Sequence, residues 1–196
     1  MLDKPFSQAC ENNKRPIAKV LRRYFQSSNM VLEIGSGTGQ HAIFFAQQLP
    51  HLTWQPADRA EYLPGIRLWL ESAPLPNLEG PVELDVNQSD WPTGFDAVFS
   101  ANTAHIMSWD EAQLMIAKVS ALLPKDGIFA LYGPFNYSGQ FTSDSNRQFD
   151  RSLRSVKATQ GIRNFEDVVK VASLSGLQLS DDFEMPANNR LLVFIK

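Results

Sequence analysis

Short apolar runs and longer amphipathic stretches alternate along the chain. Residues 30–34, 52–57, 82–86, 95–101, 128–132 and 191–195 have the length and boundaries of buried strands, and residues 177–180 lead into one more. Helical periodicity fills the intervals. Ile17, Val20, Leu21, Tyr24 and Phe25 form one apolar stripe, and Pro16 reads as a first-turn residue after an irregular polar segment over residues 1–13. Residues 41–49 predict a helix stopped by Pro50, and residues 61–72 one that turns Leu63, Ile66 and Leu70 inward. Ser108 to Glu111 is a capping box opening a helix to Leu123, with Leu114, Ala117 and Ala121 on its apolar face. Residues 145–156 predict a further helix, and Asn164 begins one that Gly176 stops. The alternation predicts an α/β fold with a doubly wound, seven-stranded, mostly parallel sheet. The turn at residues 186–189 brings the last strand back antiparallel as a hairpin.

The first strand runs into Gly35-Ser36-Gly37-Thr38-Gly39-Gln40-His41, a glycine loop between strand and helix. In a doubly wound sheet, ligands bind beyond the carboxyl ends of the strands, and glycine lets backbone approach a ligand closely. The dinucleotide pattern G-x-G-x-x-G requires a glycine where this chain has Gln40, and no Gly-Lys-Ser/Thr follows to make a phosphate loop. Glu33, at the strand end, would also repel a pyrophosphate. Asp58 closes the second strand about 20 residues beyond the loop, where an acidic residue bonds ribose hydroxyls through a charge-assisted contact. As an alternative, Asp58 caps the following helix. At the start of the first helix, Asn12, Asn13 and Arg15 either reach into the ligand pocket or belong to a solvated face. His105, after the fourth strand, is the best acid/base candidate because histidine titrates near neutrality, with a packing role as the alternative.

Composition narrows the function classes. The net charge of −3 supplies no basic field to draw the chain to nucleic acid or anionic lipid. With one cysteine, Cys10, no internal disulfide can form, and Cys10 reads as an incidental thiol. No apolar run approaches transmembrane length, and Met1 to Pro5 lack the apolar core of a signal peptide, so a cytoplasmic location is expected. At 196 residues the expectation is one domain spanning 1–196, with an N-terminal segment and helix over 1–29. Residues 133–160, rich in glycine, serine and aromatic residues where they leave the fifth strand, read as a substrate lid. No metal-ligand set stands out.

Glu33-x-Gly35-x-Gly37-x-Gly39 resembles motif I of the class I S-adenosylmethionine-dependent methyltransferases, and Phe95-Asp96-Ala97-Val98 and Leu122-Leu123-Pro124-Lys125-Asp126-Gly127 resemble later motifs of that Rossmann-like superfamily. Four stretches, Glu11 to Ile17, Gly35 to His41, Leu131 to Phe135 and Pro186 to Asn189, look like the uncharacterised methyltransferase family called domain of unknown function 938, which includes methyltransferase-like 26. The resemblance implies S-adenosylmethionine as cofactor. It would be held by Asn12 and Arg15, by Glu33, Gly35, Ser36, Gly37, Thr38, Gly39 and His41, by Asp58 and Arg59, by Asp85 on the adenine amino group with Val86 against the ring, and by Ala101 and Asn102. His105, Tyr132, Asn136 and Tyr137 would face the acceptor. Asn102-Thr103-Ala104-His105 departs from the Asn/Asp-Pro-Pro-Tyr/Phe motif of nucleic-acid amino methyltransferases. The expected function is therefore methyl transfer to a small molecule, without nucleic acid or membrane as partner. The alternative is a non-catalytic S-adenosylmethionine-binding or regulatory module. The oligomeric state is left open.

Overall fold

The computed structural model describes residues 4–196; Met1, Leu2 and Asp3, the start of the segment expected to be irregular, lie outside the described residues. The elements in chain order are α1 (Gln8–Tyr24), β1 (Met30–Ile34), α2 (Gln40–Gln48), β2 (Thr53–Asp58), α3 (Leu63–Glu71), β3 (Val82–Glu83), β4 (Ala97–Ala101), α4 (Trp109–Leu122), β5 (Ile128–Gly133), β6 (Phe135–Asn136), α5 (Asp144–Val156), β7 (Arg163–Asn164), α6 (Phe165–Leu174), β8 (Gln178–Met185) and β9 (Asn189–Ile195). Seven strands form one sheet in the order β3-β2-β1-β4-β5-β9-β8, while β6 and β7 make a separate pair. The fold is thus the expected α/β one, mostly parallel, with the antiparallel strand β9 hairpinned onto β8. The chain divides into two compact units that meet in sequence at Ser100 and Ala101.

In the first unit β1 pairs in parallel with β2, from Met30 opposite Thr53 to Ile34 opposite Ala57, and with β4, from Val31 opposite Ala97 to Ile34 opposite Ser100. Parallel pairing brings the carboxyl ends of these strands to one edge, which places the glycine loop beside Asp58. Between sheet and helix, Phe45 packs on Trp54 (5.4 Å between centroids) and Phe99 (5.2 Å). Full burial of such side chains contributes about 1.5–3 kcal/mol each.

Helix α1 begins well before Pro16, contrary to expectation. Ser7 caps it, its hydroxyl accepting from the Cys10 N–H at 3.4 Å, and Pro16 lies inside the helix. Pro16 has no N–H to give to the Asn12 carbonyl, a defect worth about 3 kcal/mol. Burial of Ile17, Ala18 and Leu21, together with bonds from α1 to α2, offsets it. Strand β3 is shorter than the sequence run because the Asp85 carboxylate accepts from the Asn87 N–H at 2.8 Å, and this Asx turn ends the extended backbone. Helix α4 has its capping box, yet Ala112, Met115, Ile116, Val119 and Ser120 are its buried residues, whereas Ala117 and Ala121 are exposed. The stripe with the larger side chains turns inward.

In the second unit β9 lies antiparallel to β5, from Ile128 opposite Ile195 to Gly133 opposite Arg190, and to β8, with a register shift between Leu179 and Asp181. A short 3₁₀ turn over Pro186–Asn188 joins β8 to β9. Residues 133–136 are buried, β6 pairs in parallel with β7, and α5 presents Phe149 and Val156 to solvent.

Candidate functional site

In the first unit the loop leaves β1 and returns over β2. The Gly35 and Ser36 N–H groups donate to the Ala57 carbonyl at 2.9 and 3.1 Å, and the Ser36 hydroxyl accepts from the Ala57 N–H at 3.1 Å. Gly37 has φ +57°, its N–H donates to Asp58 Oδ2 at 2.7 Å, and a Cβ there would meet nothing within 4 Å. Gly39, at φ +87°, begins α2, and a Cβ there would approach Ile66 Cα to 3.2 Å. The loop therefore needs glycine at Gly39 for backbone and packing reasons, and at Gly37 it borders open space. Asp58 Oδ1 accepts from the Arg59 N–H at 2.8 Å, so both carboxylate oxygens are oriented by backbone donors. Burial raises the Asp58 pKa above the usual range, against the lowering effect of those two bonds. Arg59 itself is exposed and pairs with Glu61 at 2.9 Å.

Glu33 is 1% exposed and accepts from Trp54 Nε1 at 2.8 Å. Burial outweighs that bond and lifts its carboxyl to about 8. The Asp85 carboxylate is half-buried, with Oδ1 taken by the Asn87 backbone and side chain, and Val86 beside it is buried. His41 is buried, its ring stacked on Phe45 at 5.1 Å and its Nε2 2.7 Å from Asn13 Oδ1; burial lowers it to about 4. On α1, Asn12 and Arg15 are exposed, while Asn13 is buried.

Sequence reasoning missed the role of Gln40. Its side chain, 3% exposed, accepts from the Ser7 N–H at 2.6 Å and the Thr38 hydroxyl at 3.0 Å, and donates to Glu11 at 2.7 Å. The signal was present in its failure to be glycine in an otherwise glycine-rich loop. The Glu11 carboxylate, held low chiefly by Lys14, thereby reaches the first residue of α2, the positive end of that helix.

In the second unit Asn102, after Ala101, has φ +60°, and its N–H donates to the Tyr132 carbonyl at 2.9 Å. Tyr132 is buried. His105 is buried too, edge-on to Phe149 at 5.2 Å, and burial followed by the Arg163 charge lowers it to about 4. Arg163, a second residue missed from sequence, fixes the loop that carries His105. Its Nε donates to the Ala104 carbonyl at 3.0 Å and its Nη2 to Thr159 at 3.1 Å and to Met107. Asn136 is 7% exposed, and among the described residues no hydrogen bond reaches its buried Oδ1. The Tyr137 hydroxyl donates to Asp182 at 2.7 Å, its ring stacks on Phe165 at 4.8 Å, and burial with Asp182 raises its pKa. Tyr137 also lines a cleft of about 420 Å³ with Thr142, Glu184, Met185, Asn188, Asn189 and Arg190. Among the described residues no group of three His, Cys, Asp or Glu could hold a metal ion, and no helix is long and apolar enough to cross a membrane.

Sheet order, glycine loop and terminal hairpin together define a Rossmann-like methyltransferase fold. The O-methyltransferase family 2 protein from Planctomyces limnophilus DSM 3776, in complex with apigenin, is similar at a TM-score of 0.83 and 19% identity, over 96% of this chain and 57% of that one. An O-methyltransferase family protein from Burkholderia thailandensis gives 0.82 and 16%, over 93% and 56%. PigF with SAH gives 0.78 and 18%, over 92% and 55%. The chain thus spans little more than half the length of these proteins. It belongs to the family described as Protein of unknown function (DUF938), which matches residues 4–196.

Proposed function

We propose that the chain is an S-adenosylmethionine-dependent methyltransferase acting on a small-molecule acceptor. The observation that carries the reading is Asp58, held at the end of β2 by the Gly37 and Arg59 N–H groups and adjoining the open space at Gly37. A carboxylate oriented in this way keeps lone pairs for two vicinal ribose hydroxyls. Asp85 offers its other oxygen to an adenine amino group, and buried Val86 offers an apolar contact for the ring. The loop carries Gln40 where a dinucleotide loop needs its third glycine, and the Gln40 side chain donates to the Glu11 carboxylate, so a negative group already lies beside the start of α2, which favours a nucleoside without a pyrophosphate.

When bound, the cofactor supplies a methyl group already activated on a sulfonium. The chain's own contribution is then mostly positioning. His105, neutral at pH 7 and a weak base, orients an acceptor hydroxyl or accepts its proton. Tyr137 orients by its ring, because its hydroxyl is committed to Asp182. Asn136, whose buried Oδ1 meets no hydrogen bond among the described residues, brings amide hydrogen-bonding capacity. That solved structures of like fold are recorded with SAH and with apigenin is in keeping with such a cofactor and a small-molecule acceptor.

Asp58→Ala and Asp85→Ala are each expected to weaken S-adenosylhomocysteine binding by about 10- to 100-fold, the scale of a lost charge-assisted bond. Titration calorimetry reads this directly. Affinities unchanged in both variants would remove the assignment.

A further inference from the structure

We propose that Gln40, with Glu11 as its partner, is a positioning residue that docks α1 onto the glycine loop, so that docking of α1 and binding of the cofactor are one coupled equilibrium. The inference rests on the first unit being the S-adenosylmethionine site.

Two of the sequence stretches singled out above, Glu11 to Ile17 and Gly35 to His41, are separate in the chain and meet in the structure. Gln40 joins three places with one amide: the cap of α1 at Ser7, the next turn at Glu11, and the loop at Thr38. The neighbouring residue repeats the connection. His41 Nε2 lies 2.7 Å from Asn13 Oδ1. Ahead of α1, Trp69 Nε1 donates to the Pro5 carbonyl at 2.5 Å and the Lys4 ammonium lies 3.5 Å over the Trp69 ring, which fastens this segment to α3 as well.

A buried amide must keep its partners or regain water. If α1 leaves, the Gln40 oxygen loses the Ser7 donor and its nitrogen loses an ionised acceptor, the stronger kind of hydrogen bond. The loop between is glycine-rich and costly to order, and beyond its bonds to β2 its helix-side half is held by these side-chain bonds. A ligand that binds only the ordered loop must therefore favour docked α1, and docked α1 must favour the ligand by the same factor.

The test measures S-adenosylhomocysteine affinity by calorimetry and tryptic cleavage within α1, after Lys14 and Lys19, with and without that ligand. The variants are Glu11→Ala, Gln40→Ala, the double variant and the conservative Glu11→Gln. The expected result is a 5- to 30-fold loss of affinity in either alanine variant on the scale of one broken hydrogen bond, roughly, with the double variant no weaker than the weaker single one. The ligand is expected to slow cleavage in the native chain far more than in the alanine variants, and Glu11→Gln to restore affinity to within about threefold. A role in stability alone would not move the ligand-dependent part of the cleavage. If Gln40→Ala does not fold, Glu11→Ala, at a partly exposed position, carries the measurement. Native affinity and native protection in folded Glu11→Ala would overturn the coupling and leave the cofactor assignment standing. A native chain that does not bind S-adenosylhomocysteine would overturn the assignment itself, and the coupling with it.

Discussion

Glu33 sits in β1, which is buried from Val31 to Ile34, and its carboxyl is bonded to the Trp54 indole. Its charge state sets a stability profile. Below about 4.5 the group is protonated in both folded and unfolded chains; between 4.5 and about 8 only the folded chain keeps the proton. Its contribution therefore falls as pH rises through that window, by at most about 1.4 kcal/mol per unit. His41 and His105 act in the opposite sense. Burial lowers both to about 4 from 6.5, so their contribution is complete above 6.5 and lost as pH falls toward 4. Together these groups predict greatest stability near pH 6.5 and a decline toward pH 8. Glu33→Gln should abolish the decline. Denaturant unfolding across this range checks it, and a native profile that is flat between pH 6.5 and 8 contradicts it. The residue types were readable from sequence, but their partners were not. Glu33 meets Trp54 only through the β1–β2 register, and two short parallel strands without a clean apolar–polar alternation leave that register undetermined by pattern.

Among the elements, the helices with chemical punctuation were legible. The Ser108–Glu111 box begins α4 because two orphan N–H groups are satisfied reciprocally, a local event that sequence encodes. The inward face of α4 was not legible, since alanine and leucine positions gave a competing stripe. The start of α1 was hidden by Pro16, whose usual first-turn preference is overridden by tertiary contacts. Strands β6 and β7 are too short to show a period, and they pair across the whole of α5. Strand β7 itself carries Arg163, whose guanidinium serves three carbonyls. Arg163→Met removes donors from one buried and two part-buried acceptors and is expected to cost about 1–3 kcal/mol. Chemical denaturation reads this; a loss below about 0.5 kcal/mol, the usual surface scale, would mean that the clamp contributes little.

For the whole molecule, the alternation of runs and periodicities was enough to anticipate a seven-stranded sheet, because strand–helix–strand connections force parallel neighbours and a tight turn forces a hairpin. The turn at Pro186–Asn188, with Ala187 and Asn188 at φ 58° and 56°, supplies that reversal. Asp58 and the loop glycines of the candidate site could be singled out in the sequence, because residue type and spacing mark each position. The site was illegible where distant segments combine, as at Gln40 with Glu11. The most direct measurement is calorimetry of the native chain with S-adenosylmethionine, S-adenosylhomocysteine and NAD in parallel. The expected result is binding of the first two with dissociation constants on the order of micromolar and no heat from NAD. Binding of NAD alone, or silence from both adenosyl compounds, would contradict the reading of the first unit as an S-adenosylmethionine site.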